Sequence, residues 1–160
     1  GSLFSVYIPT VTKALIPESE TNQILPFGYE RILFVDDEHA LAEIGKKSLE
    51  HLGYRVKIRT SSIEALELFQ EAPDRFDLVI TDMTMPEMTG DKLACEVRKI
   101  RTDIPVIVCS GYSDEVLINR TKQNGINVFL MKPFVIQDLA TTIRDVLGKS
   151  DSSGLSTLSN

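Results

Sequence analysis

Short apolar runs and amphipathic stretches alternate along the chain from Arg31 onward. Five runs are rich in branched apolar residues and too short for buried helices, so they predict strands. These predicted strands are 31–36, 55–59, 77–81, 106–109 and 128–131. Each is followed by a stretch of helical periodicity, with Ser61, Ser62 and Gly53 as candidate helix caps. The predicted helices are 38–52, 61–69, a stretch ending at 100, 114–124 and 136–147.

This alternation of strands with helices predicts the fold class. Repeated βαβ units favour an α/β three-layer sandwich in which a parallel sheet carries helices on both faces. The near-continuous apolar character of the strands agrees, because strands of parallel sheets are buried on both sides.

The two ends of the chain have a different pattern. Residues 1–9 alternate apolar and polar positions up to a proline, which predicts a short terminal strand. Residues 10–30 contain two further prolines and a glycine and are interpreted as a linker. Gly148 predicts the end of the last helix, and residues 148–160 include five serines, which is typical of a disordered tail.

Composition narrows the class of protein. The 160 residues suffice for one domain with flanking segments. A net charge of −6 argues against a nucleic-acid surface, which needs clustered lysine and arginine. No apolar run approaches the ~18 residues that cross a bilayer, so we expect no direct membrane contact. Two cysteines without metal-ligand spacing indicate a reduced, cytoplasmic setting.

Polar side chains stand where the predicted strands end, namely Asp36, Asp37, Asp82, Ser110 and Lys132. Open α/β sheets bind ligands beyond the carboxyl ends of their strands, so these residues are expected in one crevice. Neighbouring carboxylates repel each other unless a cation intervenes. Mg²⁺ with oxygen ligands would resolve that conflict, and it favours few carboxylates together with waters and a phosphate oxygen.

The chemistry that suits this set is phosphoryl transfer onto a carboxylate. Lys132 can pair with Asp82 when the site is empty and with an anionic ligand when it is full. Ser110 supplies a hydroxyl for the same ligand. Ionised Asp82 needs no general base to act as a nucleophile. Lys132–Pro133 is a candidate cis peptide.

These residues resemble the receiver domain of two-component response regulators. The resemblance rests on Asp36-Asp37, on Asp82 within Thr-Asp-Met-Thr-Met-Pro-Glu-Met-Thr-Gly, on Ser110 within Cys-Ser-Gly-Tyr and on Lys132-Pro133-Phe134. It extends over residues 31–147. It implies a flavodoxin-like (βα)5 fold with a parallel sheet of order 2-1-3-4-5.

The resemblance also implies a role for each residue. Asp82 would be the phosphoacceptor, charged from a phosphohistidine on a histidine kinase or a histidine phosphotransfer domain. Asp37, Asp82 and the backbone carbonyl of Thr84 would ligate Mg²⁺, and Asp36 would act through a bound water. Lys132 would hold a phosphoryl oxygen.

Two further positions correspond to the switch residues of that family, Ser110 and Phe129. Phosphorylation would draw Ser110 toward the phosphoryl group and let the Phe129 ring pack into the vacated space. The surface formed by the fourth predicted helix, the fifth strand and the fifth helix would then change for a partner. Phe129 has no hydroxyl, so a tyrosine-hydroxyl readout cannot operate here.

Residues 1–9 resemble the last strand of the ATP-binding domain of sensor histidine kinases. On that resemblance the chain is the C-terminal receiver of a hybrid kinase, whose parent chain could be membrane-anchored and homodimeric. Gly1-Ser2 alternatively fits a remnant of cloning. The 13-residue tail is too short for a helix-turn-helix domain, so DNA binding is not expected.

Three alternatives remain open from the sequence. A phosphorylation-independent docking module would use the same fold without the chemistry. A haloacid-dehalogenase-like aspartyl-phosphate phosphatase would want a second carboxylate where Thr84 stands. A flavin-binding domain would need a phosphate-binding loop after the first strand, where Asp36 and Asp37 would repel the phosphate.

Overall fold

The computed structural model of the chain describes residues 26–111, 126 and 128–152. These residues form five strands, three α-helices (α1 to α3), a short 3₁₀ helix and a C-terminal helix. In chain order the elements are β1 Arg31–Val35, α1 His39–His51, β2 Arg55–Arg59, α2 Ser62–Glu71, the 3₁₀ helix Pro73–Arg75, β3 Leu78–Asp82, α3 Gly90–Ile100, β4 Val106–Ser110, β5 Val128–Met131 and the C-terminal helix Ile136–Ser152.

The five strands form one parallel sheet, as the sequence pattern predicts, in the order β2-β1-β3-β4-β5 that the resemblance to receiver domains implies. β3 lies at the centre, and all five of its residues are buried. At the outer edge, β2 alternates the exposed Arg55 and Lys57 with the buried Val56. The alternation fits a strand at the edge of the sheet, which has a strand partner on one side only.

Apolar side chains pack on both faces of the sheet. Consecutive residues of β1 point to opposite sides, so Ile32 and Phe34 join one core cluster and Leu33 and Val35 join the other. The first cluster packs against α1 and the C-terminal helix, and the second packs against α2 and α3. Each buried branched side chain contributes about 1.5–3 kcal/mol. The predicted three-layer arrangement is therefore present.

Element boundaries differ from the sequence prediction at several points. β3 and β4 each extend one residue further, because Asp82 pairs with Cys109 and Ser110 pairs with Met131 in the ladder. The C-terminal helix continues past Gly148 to Ser152. Glycine inside a helix costs only about 1 kcal/mol relative to alanine, which is too little to end it.

Some predictions concern residues that lie outside the described ones. These are the strand 1–9, most of the linker 10–30, the helix 114–124 and the last eight residues of the tail. The end of the linker, residues 26–30, is described and hydrogen-bonded to the domain: the Gly28 amide donates to Leu52 O at 3.0 Å. Across the described ranges, every helix is too short or too polar to cross a bilayer.

Candidate functional site

The polar residues that the sequence places at strand ends meet at one edge of the sheet. Asp36 directly follows β1, Asp82 ends β3, Ser110 ends β4 and Lys132 directly follows β5. All strands are parallel, so these positions share the carboxyl edge. Asp36, Asp82 and Ser110 are 3%, 9% and 8% exposed, which makes them three of the buried polar residues of the described chain.

Lys132 joins two of the carboxylates. Its Nζ lies 2.5 Å from Asp82 Oδ1 and 3.0 Å from Asp36 Oδ2. Partial burial by itself lowers the pKa of the ammonium, but its hydrogen bonds to Asp82 and Asp36 outweigh that effect. The pKa of Lys132 is therefore raised above the usual lysine value, and the ammonium stays charged at neutral pH.

The remaining carboxylate oxygens accept backbone hydrogen bonds. The Thr84 amide donates to Asp82 Oδ2 at 2.7 Å, and the Glu38 amide donates to Asp36 Oδ1 at 3.0 Å. Each acid is thus held by one amide and by the shared ammonium. Bonds of this kind to a charged oxygen are strong and fix its orientation.

Backbone contacts hold the strands of the pocket together. The Lys132 amide donates to Ser110 O at 2.7 Å, and the Met83 amide donates to Cys109 O at 2.7 Å. The Lys132–Pro133 peptide is cis. The two acids therefore lie at the ends of neighbouring strands, β1 and β3, and the ammonium reaches them from the end of β5, across β4.

Sequence reasoning did not identify Gly90 as a residue that shapes the pocket. Gly90 begins α3, its amide donates to Met83 O at 3.0 Å, and any Cβ there would collide with the carbonyl oxygen of Asp82. Glycine thus allows α3 to abut the end of β3. The loop between them also contains Glu87 at φ 66°, a conformation that costs a non-glycine residue free energy. A glycine at the start of a helix was the available signal.

The other predicted residues lie around this centre. The side chains of Asp37 and Thr84 are exposed. Asp37 directly follows the buried Asp36, and Thr84 lies two residues after the buried Asp82. Phe129 is half-buried on β5 and packs against the second core cluster. Ser110 is buried beside Asp82's strand. The structure brings the carboxylates of Asp36 and Asp82 to the ammonium of Lys132. Ser110, Asp37 and Thr84 adjoin this centre in the sheet or in sequence, and Phe129 belongs to the second core cluster.

The charges of the pocket suit a divalent cation. The Asp36 and Asp82 carboxylates with the Lys132 ammonium leave one formal negative charge, and the exposed Asp37, next in sequence to Asp36, would add a second. Within the described part of the chain, no group of three or more His, Cys, Asp or Glu side chains is arranged to hold a metal by itself. Mg²⁺ commonly uses one or two carboxylates and completes its shell with carbonyl and water oxygens. The donor set therefore fits Mg²⁺ and does not fit a closed all-side-chain metal site.

An apolar cavity of about 480 Å³ adjoins the pocket. Asp36 and Lys132 form its polar border, and α1, the Pro133-Phe134 turn and the C-terminal helix form its walls. Leu41 and Ile44 on α1 are 39% and 61% exposed at its rim. Large exposed apolar side chains beside a charged pocket are typical of a surface that contacts a partner.

Comparison with known proteins agrees with the geometry. The sequence profile of the response regulator receiver domain matches residues 32–144. The chain is 38% identical over 124 residues to the sensor kinase CckA of Brucella abortus, covering 78% of this chain and 13% of that protein. It is 35% identical over 133 residues to the two-component response regulator ARR10 of Arabidopsis thaliana, covering 83% of this chain and 24% of that protein.

Solved structures show the same fold. A response regulator receiver domain protein from Clostridium thermocellum superposes with a TM-score of 0.74 at 32% identity, covering 78% of this chain and 98% of the other. The chemotaxis protein CheY4 of Vibrio cholerae superposes with a TM-score of 0.70 at 29% identity, covering 74% and 99%. The chain thus spans a small part of its curated relatives but nearly all of these isolated domains.

Proposed function

The chain belongs to the response regulator receiver domain family, and we propose that it accepts a phosphoryl group on Asp82 in a two-component phosphorelay. One observation carries this proposal. The Asp82 carboxylate lies between the Lys132 ammonium at 2.5 Å and the Thr84 amide at 2.7 Å, at the carboxyl end of the central strand. This arrangement holds a nucleophilic oxygen beside groups that attract a phosphoryl group.

The transfer follows from these groups. An Asp82 oxygen attacks the phosphorus of a phosphohistidine, a P–O bond forms, and the P–N bond to the imidazole breaks. The leaving imidazole takes up a proton. Lys132 neutralises charge on the phosphoryl oxygens, and the Ser110 hydroxyl donates to one of them. The donor is a histidine kinase or a histidine phosphotransfer domain, the kind of partner with which receiver domains interact.

Receiver domains generally bind Mg²⁺ at their acidic pocket, and the residues here fit it. Asp37, Asp82 and the Thr84 backbone carbonyl would hold the ion directly, and Asp36 would hold it through a water. When bound, Mg²⁺ supplies positive charge that balances the phosphoryl oxygens. The chain's own contribution is the oriented carboxylate and the fixed ammonium.

The phosphorylated state is proposed to be read out through Ser110 and Phe129. Both are on neighbouring strands, and the ring of Phe129 is half-buried against the second core cluster. A phosphoryl group that binds one arrangement better shifts the population by its differential affinity. The surface that changes includes β5 and the C-terminal helix.

The apolar cavity beside the pocket is proposed to contact the phosphodonor protein. Its rim residues Leu41 and Ile44 lie on α1, and its border includes Lys132. A partner that buries this rim would bring its phosphohistidine to Asp82. A small phosphodonor would not need the contact.

The place of this receiver in a longer chain is also a proposal. The similarity to a sensor kinase, together with the resemblance of residues 1–9 to a kinase strand, supports a receiver at the C-terminal end of a hybrid histidine kinase. On this proposal the domain works in the cytoplasm, and kinase activity belongs to the parent chain.

The test is adduct formation with beryllofluoride and with a small phosphodonor in the presence of Mg²⁺. We expect the wild type and the matched control Asp103→Asn, an exposed acid at the opposite end of β4, to form the adduct. We expect Asp82→Asn to lose it, and excess chelator to suppress it. An adduct of equal yield on Asp82→Asn would refute the assignment, and failure of the wild type would favour a phosphorylation-independent docking module.

A further inference from the structure

The segment before β1, residues 26–30, is fixed to the domain by its backbone. The Gly28 amide donates to Leu52 O at 3.0 Å, and Glu30 O accepts from the Arg55 amide at 2.9 Å. A side chain at position 28 would collide with the Tyr54 ring, so the segment lies flat against it. We call residues 26–30 the leading segment.

Arg144 of the C-terminal helix binds this segment through a second set of contacts. Its Nη2 lies 2.6 Å from Glu30 Oε2, and its Nε donates to the Tyr54 hydroxyl at 3.0 Å. The guanidinium also lies over the Tyr54 ring, 5.2 Å from the centroid. The side chains of Arg144 and Glu30 are 30% and 16% exposed, so the pair is largely protected from solvent.

The electrostatics of the pair favour its ionised form. Burial, the largest single influence, raises the pKa of Glu30, but the contact with Arg144 and the backbone amides of Tyr29 and Glu30 together outweigh it, so the pKa of Glu30 is lowered. Separating the pair would leave a charge in a partly dry site, which costs more than breaking an exposed surface pair.

The C-terminal helix connects this contact to the phosphoacceptor pocket. The helix begins at Ile136, four residues after Lys132, and Arg144 follows about two turns later. Lys132, just before the first turn, holds Asp82, and Arg144, midway along the helix, holds Glu30. A helix of this length moves largely as a rigid body, so a shift at its first turn also displaces Arg144.

We propose that the Glu30–Arg144 pair couples the C-terminal helix to the leading segment, so that phosphorylation at Asp82 changes the direction from which the preceding chain meets the receiver. This inference rests on the proposed function, because it needs the C-terminal helix to move on phosphorylation. Phosphorylation would then act on the preceding segment of the same polypeptide, in addition to changing a surface for a separate partner.

The chain contains no tryptophan, so a single one can report on the leading segment. Phe27 is 65% exposed, and Phe27→Trp places the probe there without disturbing buried contacts. In the full chain carrying this substitution, beryllofluoride with Mg²⁺ is expected to change the acrylamide quenching of Trp fluorescence. Adduct formation is followed in the same samples by fluorine NMR.

The pair is then broken in two ways in that background, by Glu30→Gln and by Arg144→Gln. We expect the adduct to form in both and the quenching response to be lost in both. Glu71→Gln, an exposed acid on α2, is the matched control and should keep the response. Circular dichroism checks folding, and Arg144→Gln decides the matter if Glu30→Gln does not fold.

The outcomes separate the two proposals. An adduct without a quenching response in the parent, or a response that persists in both pair variants, overturns the coupling and leaves the phosphoacceptor function intact. Absence of an adduct in every variant overturns the phosphoacceptor function, and the coupling with it.

Discussion

We expect the Lys132 ammonium to offset the electrostatic repulsion between the buried carboxylates of Asp36 and Asp82, and replacing Lys132 tests this directly. Lys132→Met keeps most of the apolar stem and removes the charge. The same Nζ lies 3.0 Å from an Asp36 oxygen and 2.5 Å from an Asp82 oxygen, so those oxygens are within about 5.5 Å of each other. Without the ammonium they repel each other by about 3 kcal/mol at an effective dielectric constant of about 20.

We therefore expect Lys132→Met to lower the free energy of unfolding by about 2–4 kcal/mol at neutral pH in chelator. Mg²⁺ should restore more stability to the variant than to the wild type, because the ion no longer competes with the ammonium for the same oxygens.

The assay is urea unfolding followed by circular dichroism, with and without Mg²⁺. Lys99→Met is the matched control, because Lys99 is an exposed ammonium that pairs with Glu96 on the surface, and we expect little change in its unfolding midpoint. The reasoning is refuted if Lys132→Met in chelator is as stable as the wild type. It is refuted equally if Mg²⁺ stabilises both proteins to the same extent.

Four further outcomes are expected. Gly90→Ala forces a Cβ into the carbonyl at the end of β3, so it should lower the free energy of unfolding in urea by about 1–3 kcal/mol and slow phosphorylation. Gly148→Ala is the control: open space surrounds Gly148, so this substitution should not destabilise the protein. Ile44→Ser should slow phosphorylation by a partner protein and leave the rate with a small phosphodonor unchanged; equal slowing of both would contradict the docking role. Hydrogen bonds from a guanidinium lower the pKa of Asp77 in the folded protein. Its contribution to the free energy of unfolding is therefore present above the usual aspartate pKa and is lost as the pH falls through the lowered pKa. Asp77→Asn should thus be about 1 kcal/mol less stable at pH 7, after allowance for solvent screening, and match the wild type at low pH in urea titrations. Burial raises the pKa of the Cys109 thiol to about 12, so its thiolate fraction at pH 8 is about 10⁻⁴ and a thiol reagent should modify it only after unfolding; rapid labelling of the native protein would contradict this burial.

The sequence predicted the sheet because a strand buried on both faces must be apolar throughout. β1, β3 and β4 have that character, and their order in a parallel sheet brings Asp36, Asp82 and Ser110 to one edge without further information. Strand and helix ends were less accurate, because a polar residue such as Asp82 can still pair in the ladder.

Contacts between distant side chains were beyond the sequence pattern. Lys132 was expected to pair with Asp82, and the structure adds Asp36, which lies 96 positions away. The pairing of Glu30 with Arg144 depends on how the C-terminal helix packs over Tyr54. Periodicity reports which face of an element is buried, but not which residue of a neighbouring element it meets.

The charged residues of the edge strand β2 oppose association between copies of the chain at high concentration. Open strand edges invite a second chain to add its own strand, and natural sheets oppose this with lysine and arginine. Arg55, Lys57 and Arg59 stand at alternate positions of this five-residue strand, so two copies approaching edge to edge would confront matching rows of cations. Strand-by-strand aggregation is therefore disfavoured along this side, even while the rest of the sheet is still assembling.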